Sequence, residues 1–268
     1  MSTKPRRASL WRIRSEIPGY LKIVLAAAGI LSPLVIWIIY SQFNLVDPLF
    51  LPSPLNVISA IGNWYSVNNM PDDFSISLER VMGGFFLSSA IAIPLALMMG
   101  TFTPLRAFFE PLIDFIRYMP AAAFIPLVML WFGIDEWAKV MIIFIGTFFQ
   151  MVLMLAENIR NVPTTQIEAS QTMGATRFEI IRYVLLPSAS PTMLDTLRIT
   201  CGWAWTYLVV AELVAANSGL GYKIILAQRY MQTNMIFSGI IIIGIIGLLT
   251  DQLFRLLSRI LFRWKSGA

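Results

Sequence analysis

Apolar stretches close to the roughly 20 residues needed to cross a hydrocarbon layer of about 30 Å dominate the chain. Four are clear, at 23–43, 81–102, 137–157 and 235–261, and the last carries a run from Ile240 to Leu249 interrupted only by glycines. A fifth, 191–216, is dotted with Thr196, Thr200, Thr206 and Glu212. That is the pattern of a span packed inside a bundle, where polar side chains find protein partners. A sixth, 108–132, holds Glu110, Asp114 and Arg117 and prolines at 111, 120 and 126. Because proline removes a backbone donor and crowds the preceding turn, this stretch predicts a kinked or interrupted span. The fold class expected is all-α: a polytopic membrane helix bundle of about six transmembrane helices, with a basic segment 1–22 before it, the membrane domain over 23–262 and a short tail at 263–268.

Charge fixes the orientation expected. The beginning (Lys4, Arg6, Arg7, Arg12, Arg14) and the end (Arg255, Arg259, Arg263, Lys265) are both basic. The positive-inside rule puts both in the cytoplasm, which requires an even number of crossings. With six, 15 of the 20 basic residues fall on the inner side, Arg80, Lys139, Lys223 and Arg229 fall outside, and Arg117 lies within the membrane. The net charge of +5 is then accounted for by orientation and anionic lipid, with no nucleic-acid partner. The first apolar run is longer than a secretory h-region and no small-residue cleavage site follows it in 40–47, so it reads as a retained anchor.

Composition agrees and excludes chemistry. Charged residues make up 13% of the chain, about half the usual ~25%, while apolar residues reach 57%. With no histidine, imidazole metal sites and Ser-His or Cys-His nucleophile pairs are impossible, and the single Cys201 forbids an internal disulfide or a CxxC site. No phosphate-binding G-x-x-x-x-G-K-[ST] loop occurs, and Gly219-Leu220-Gly221 lacks the third glycine of a dinucleotide fingerprint. The chain is expected to be neither an enzyme nor a holder of a cofactor or metal.

The one large polar insert on the inner side is 158–190. Thr165-Gln166-Ile167-Glu168 and Thr176-Arg177-Phe178-Glu179 both read as capping boxes, Gly174 between them suits a stop in the left-handed region, and Pro187 is placed to end the second helix. Two short helices joined by a turn are expected. Their apolar positions, Ile167, Ala169 and Met173, then Phe178, Ile181 and Leu185, either pack on the inner ends of the spans or enter a groove in a partner.

Glu168-Ala169-Ser170, then Gly174, then Leu186-Pro187, resembles the cytoplasmic EAA-type loop of permease subunits of binding-protein-dependent ATP-binding-cassette importers, with Ser170 where alanine is frequent. The likeness extends over about 48–264, through Leu51-Pro52-Ser53-Pro54, Ser77-Leu78-Glu79-Arg80-Val81, Ile125-Pro126-Leu127, Trp131-Phe132-Gly133-Ile134, Leu197-Arg198, Ala211-Glu212 and Gly219-Leu220-Gly221. It is similar to the nitrate, taurine, aliphatic sulfonate and bicarbonate branch. The resemblance implies the type I importer permease fold in a bacterial inner membrane. It implies a homodimer served by two ATPase subunits, which carry the ATP and magnesium, and by an extracytoplasmic solute-binding protein. It also implies that Thr165, Glu168, Ala169, Ser170, Gly174, Thr176, Glu179 and Pro187 form the coupling-helix loop. The rival reading is a stand-alone secondary transporter or channel, which has no need of a docking helix pair.

Charges inside a membrane are costly and usually face protein or water. Glu110, Asp114 and Arg117 stand at i, i+4 and i+7 and share a helical face, on which Asp114 reaches Arg117. Glu110, Asp114 and Asp251 are expected to be structural charges, and Glu212 to pair with a cation or amide in a structural or gating role. Hydroxyl, indole and backbone donors hold an oxyanion without trapping it. The candidate pathway residues are Arg117, Arg198, Thr200, Trp203, Thr206, Tyr207 and Glu212, with Trp203 and Tyr207 on one face of the fifth span and Trp205 on the other.

Overall fold

A computed structural model describes residues 17–67 and 69–263, and among these every regular element is a helix. The basic residues before 17 and Lys265 lie outside the described residues. In chain order the helices are α1 (Gly19–Gln42), α2 (Pro54–Val67), α3 (Met70–Thr101), α4 (Thr103–Arg117), α5 (Ile125–Phe132) preceded by a 3₁₀ turn at Ala121–Phe124, and α6 (Glu136–Arg160). After these come α7 (Thr164–Thr172), α8 (Arg177–Ile180), α9 (Leu186–Ala215), α10 (Leu220–Arg229) and α11 (Thr233–Leu261).

Four helices, α1, α3, α6 and α11, are long and apolar enough to cross a membrane. The stretch 108–132 is broken: α4 and the segment Ala121–Phe132 meet at 89°. Pro120 stands at the break and has no N–H with which to carry the helix through it. Counted as one crossing, this bent pair makes a fifth. Helix α9 has 30 residues, about 45 Å at 1.5 Å each, so it is long enough to cross. Its threonines and charged residues lower its mean hydropathy, and it lies against α6 and α11, where those groups meet protein.

The core is the stack of α3, α6 and α9, where Val81, Ile142, Met151, Leu155 and Leu208 are fully buried. A Ser88–Thr147 hydroxyl bond of 2.8 Å joins α3 to α6, the kind of interhelical contact that substitutes for hydrophobic driving force in lipid. Helix α1 buries no residue. It touches the rest through Trp37, which stacks on Phe237 at 5.6 Å and donates to the Pro52 carbonyl at 2.9 Å.

The polar insert folds as a helical hairpin, with two departures from expectation. The first capping box does not form: α7 begins at Thr164 after Pro163, two residues earlier than a cap at Thr165 requires, so Thr165 is inside the first turn and no side chain caps it. Pro163 itself stands at the N-cap with φ −56°, and its backbone carbonyl accepts from the Gln166 N–H at 3.1 Å. Nor does Pro187 end a helix. Helix α8 continues through a π turn at Ile181–Leu185 into α9, whose first turn contains Pro187, and the widened turn makes room for the ring. The second box is intact. The Glu179 N–H donates to the Thr176 hydroxyl, the Thr176 N–H donates to the Glu179 carboxylate at 2.7 Å, and Gly174 turns the chain at φ +82°.

The hydrogen bonds from Thr176 hold the Glu179 carboxyl below its ordinary value of 4.5. A depressed folded-state value means that the cap's contribution is complete above the ordinary value and is lost as pH falls through the depressed one. An NMR titration is therefore expected to show Glu179 protonating below the ordinary glutamate value, and Glu179→Gln to remove that step.

Candidate functional site

Between α4, α6 and α9 lies a cavity of about 250 Å³. Trp203, Thr206 and Tyr207 of α9 line one wall, Ile145, Gly146, Phe149 and Gln150 of α6 another, and Ile116, Arg117, Met119 and Ala121, around the α4–α5 break, close it. Arg117 is the only charged side chain among the described residues that line it. The break explains its position: α4 ends at Arg117, and the chain turns away just beyond it. The guanidinium is held by Asp114 at 2.8 Å, by the Tyr118 hydroxyl at 3.0 Å and by Gln150 at 3.4 Å.

Arg117 also lines a second, larger space of about 450 Å³ toward the hairpin end. There the charges balance, with Arg106, Arg117 and Arg160 against Glu110, Asp114 and Glu157. Each acid has a near partner. Arg106 grips Glu110 with two bonds of 2.7 and 2.8 Å, and Arg160 meets Glu157 at 3.0 Å. Glu110 therefore belongs to its own i,i+4 pair and is not bonded to Arg117.

Four sequence-predicted pathway residues, Arg117, Trp203, Thr206 and Tyr207, come together in the smaller cavity; three do not. Arg198 faces Asp251 of α11 at 3.3 Å and Asp195 at 3.9 Å, while Asp251 also holds Arg255 at 2.7 Å. Thr200 is buried with its hydroxyl bonded to the carbonyls of Thr196 and Leu197 in its own helix. Glu212 lies at the other end of the bundle. Trp205 is buried on the opposite side of α9 from the cavity.

At that other end Glu212, with no exposed surface, accepts from Arg80 and from the Ser77 hydroxyl at 2.7 Å each and from the Gly221 N–H at 2.6 Å. Arg80 also forks onto Glu136 at 2.6 and 2.8 Å and donates to the Ser218 carbonyl at 2.7 Å. Lys139 meets Glu136 at 2.7 Å. The first turn of α10 is capped from other helices: Asp73 accepts from the Gly219 N–H at 3.0 Å and Ser77 from that of Leu220 at 2.9 Å. Asp73 is in turn held by Trp64 at 3.1 Å. A Cβ on Gly219, at φ +115°, would sit 2.3 Å from the Glu212 carboxylate, so only glycine lets the loop approach. Arg80 and Lys139 thus both lie in helices, Arg80 in α3 and Lys139 in α6. Helix α3 begins at Met70 rather than 81, and both cations are buried, 2% and 4% exposed, against carboxylates that neutralise them.

On the hairpin, Ser170 is buried and bonds back to the Gln166 carbonyl at 2.7 Å, while Ile180 and Leu185 enter the core. Met173, Phe178 and Tyr183 remain exposed. The apolar positions therefore divide between an inward face and an outward one. Among the described residues no group of three or more His, Cys, Asp or Glu is placed to hold a metal ion.

Residues 92–263 match the family described as the binding-protein-dependent transport system inner membrane component. The chain belongs to this permease family. Its relatives include the taurine transport system permease protein of Escherichia coli, 31% identical with 94% of each chain covered. A putative aliphatic sulfonates transport permease protein of Bacillus subtilis is 32% identical over 93% of this chain and 89% of its own. A putative ABC transporter permease protein of Methanocaldococcus jannaschii is 35% identical over 91% and 92%. The fold matches an inward-facing MetNI methionine ABC transporter with a TM-score of 0.57 at 23% identity, covering 67% of this chain and 92% of that one. Family membership decides against the stand-alone carrier: this is a transport permease, not a catalytic subunit.

Sequence reasoning on the permease missed Gln150 and Gly146 in the cavity and Asp73, Ser77, Arg80 and Glu136 at the far end. A signal for the last group existed. A lone carboxylate in an apolar span demands a cation at its own depth, and Arg80 and Lys139 bracket that depth.

Proposed function

We propose that the chain forms the membrane pathway of an ATP-driven importer for a small anion of the sulfonate, nitrate or bicarbonate type. The observation that supports this most directly is the cavity whose only charged lining group, among described residues, is the Arg117 guanidinium, with Trp203, Thr206, Tyr207 and Gln150 as neutral donors around it. One cation with neutral donors favours an anion without the tight trapping of several arginines. Relatives named for taurine, aliphatic sulfonates and bicarbonate fit the same reading. In this reading two copies of the chain work with two ATPases, which hold ATP and magnesium, and with an external binding protein that does most of the selecting. The hairpin 164–187 transmits closure of the ATPases, and solute passes by alternating access. The membrane is the bacterial inner membrane with both chain ends cytoplasmic. Phe262, beyond α11, lines the same surface hollow as Leu186, Pro187 and Ser190, so the end of α11 and the hairpin share one side.

The coupling role has a sharp test at Gly174, where a Cβ would meet nothing within 4 Å but φ is +82°. Only backbone strain, about 1–2 kcal/mol for an ordinary side chain, opposes substitution. Gly174→Asn is expected to leave association with the co-purified ATPase and ATP-driven uptake near normal, because asparagine tolerates this region. Gly174→Val is expected to weaken association or to leave hydrolysis running without uptake. If the valine variant couples as the native chain does, the hairpin is not the handle.

A further inference from the structure

We propose that Asp114 is the release residue of the pathway: its carboxylate competes with the transported anion for Arg117, at the point where the inner space meets the cavity. This rests on the anion-pathway reading above and adds a role to a residue that charge neutralisation alone accounts for. Four observations converge on it. Arg117 lines both spaces, so an anion passing from one to the other meets the same guanidinium throughout. In the cavity it is the only charge among described lining residues, whereas the inner space holds three cations and three anions. The anion thus leaves a chamber lined by one cation for a space whose lining holds three carboxylates as well. Asp114 lines the inner space and not the cavity, yet reaches the guanidinium at 2.8 Å. Both side chains keep access to the open spaces, Arg117 at 28% and Asp114 at 41% exposure, whereas the pair at Arg80 and Glu212 is sealed.

The chemistry of conduction requires such a competitor. A site must bind well enough to admit an ion and weakly enough to lose it. A guanidinium in a low-dielectric cavity, faced by no carboxylate, would hold an oxyanion through charge-assisted bonds. A carboxylate one helical turn back on the same helix offers the guanidinium an alternative ligand as the anion departs. Glu110 and Glu157 do not perform this exchange, since each is engaged by Arg106 or Arg160. Tyr118, whose ring lies under the Arg117 guanidinium at 4.6 Å, steadies the cation without neutralising it.

The single native cysteine, Cys201, makes a direct test possible. In a Cys201→Ala background, Thr206→Cys puts one thiol in the cavity wall of each copy of the chain in the assembled transporter. Its rates of modification by a sulfonate-bearing and a trimethylammonium-bearing methanethiosulfonate are compared as a ratio, which cancels the reactivity of the thiol itself. Asp114→Asn is expected to raise the anionic-to-cationic ratio roughly threefold to tenfold, and Arg117→Gln to lower it by a similar factor. Asp114→Glu is expected to stay near the native value. In a second measurement, methanesulfonate protects the thiol against the cationic reagent, and Asp114→Asn is expected to lower the half-protecting concentration severalfold. A merely structural aspartate would move that concentration upward or not at all, because losing a structural pair loosens the site. If Arg117→Gln lowers the ratio while Asp114→Asn leaves both readouts unchanged, the release role is overturned and the anion pathway stands. If Arg117→Gln leaves the ratio unchanged, the pathway reading falls with it.

Discussion

Replacing Arg80 with leucine is expected to destabilise the detergent-solubilised permease by about 3–5 kcal/mol, the range for breaking one side of a buried ion pair. For a chain of this size that is a fall in melting temperature on the order of 10 °C. The magnitude follows from what is left behind. Glu212 has no exposed surface and would lose its only cation among the described residues, while the Ser218 carbonyl would lose a donor. Glu136, at 61% exposure, has water and Lys139 to fall back on. Glu136→Gln is accordingly expected to cost less than Arg80→Leu, because the cations it leaves are the buried Lys139, which loses its carboxylate, and Arg80, which keeps Glu212. The double change Arg80→Leu with Glu212→Leu is expected to recover only part of the loss. It removes the orphaned charge but strands the Gly221 N–H and the Ser77 hydroxyl, both of which end on Glu212. A thermal-shift series over these four proteins checks the order. An unchanged melting temperature for Arg80→Leu would show that the network is not what fastens α10 to the bundle.

The same network marks the limit of what the sequence discloses. The long apolar stretches were legible because a hydrocarbon layer imposes one length and one composition. The break at Pro120 was legible because proline acts locally. Trp203 and Tyr207 could be put on one face of α9 by helical period alone. What period and composition do not carry is depth. Arg80 reads as a loop cation only if α3 starts at 81, and the start at Met70 depends on Asp73 and Ser77 having partners more than 140 residues away. Arg198 reads as a pathway cation until Asp251 is brought beside it by the packing of α9 on α11. The capping box at Thr165 failed for a local reason, since the helix already starts from Pro163 two residues earlier, whereas at Thr176 the helix starts at the box and the box formed.

Gly146→Ala is expected to block transport while leaving the bundle folded. A Cβ at this position would stand 2.5 Å from the Tyr207 ring, well inside contact distance, so the ring or the α6–α9 spacing must give. Overpacking of this kind costs about 1–3 kcal/mol where nothing can move. Here something can, because the ring borders the 250 Å³ cavity, and the cheapest relaxation swings it into that space. The strain is then relieved at the expense of the passage, so the melting temperature should change little while ATP-driven uptake falls at least about tenfold, the factor that 1.4 kcal/mol carries. Hydrolysis by the partner ATPase is expected to persist, since Gly146 lies in α6, away from the hairpin. Adding Tyr207→Ala to Gly146→Ala removes the ring and is expected to restore a substantial part of the flux. Tyr207→Phe, which keeps the ring and loses only the hydroxyl, is not expected to restore it. Full uptake by Gly146→Ala would mean that solute does not pass beside Tyr207, and the route through this bundle would have to be sought elsewhere.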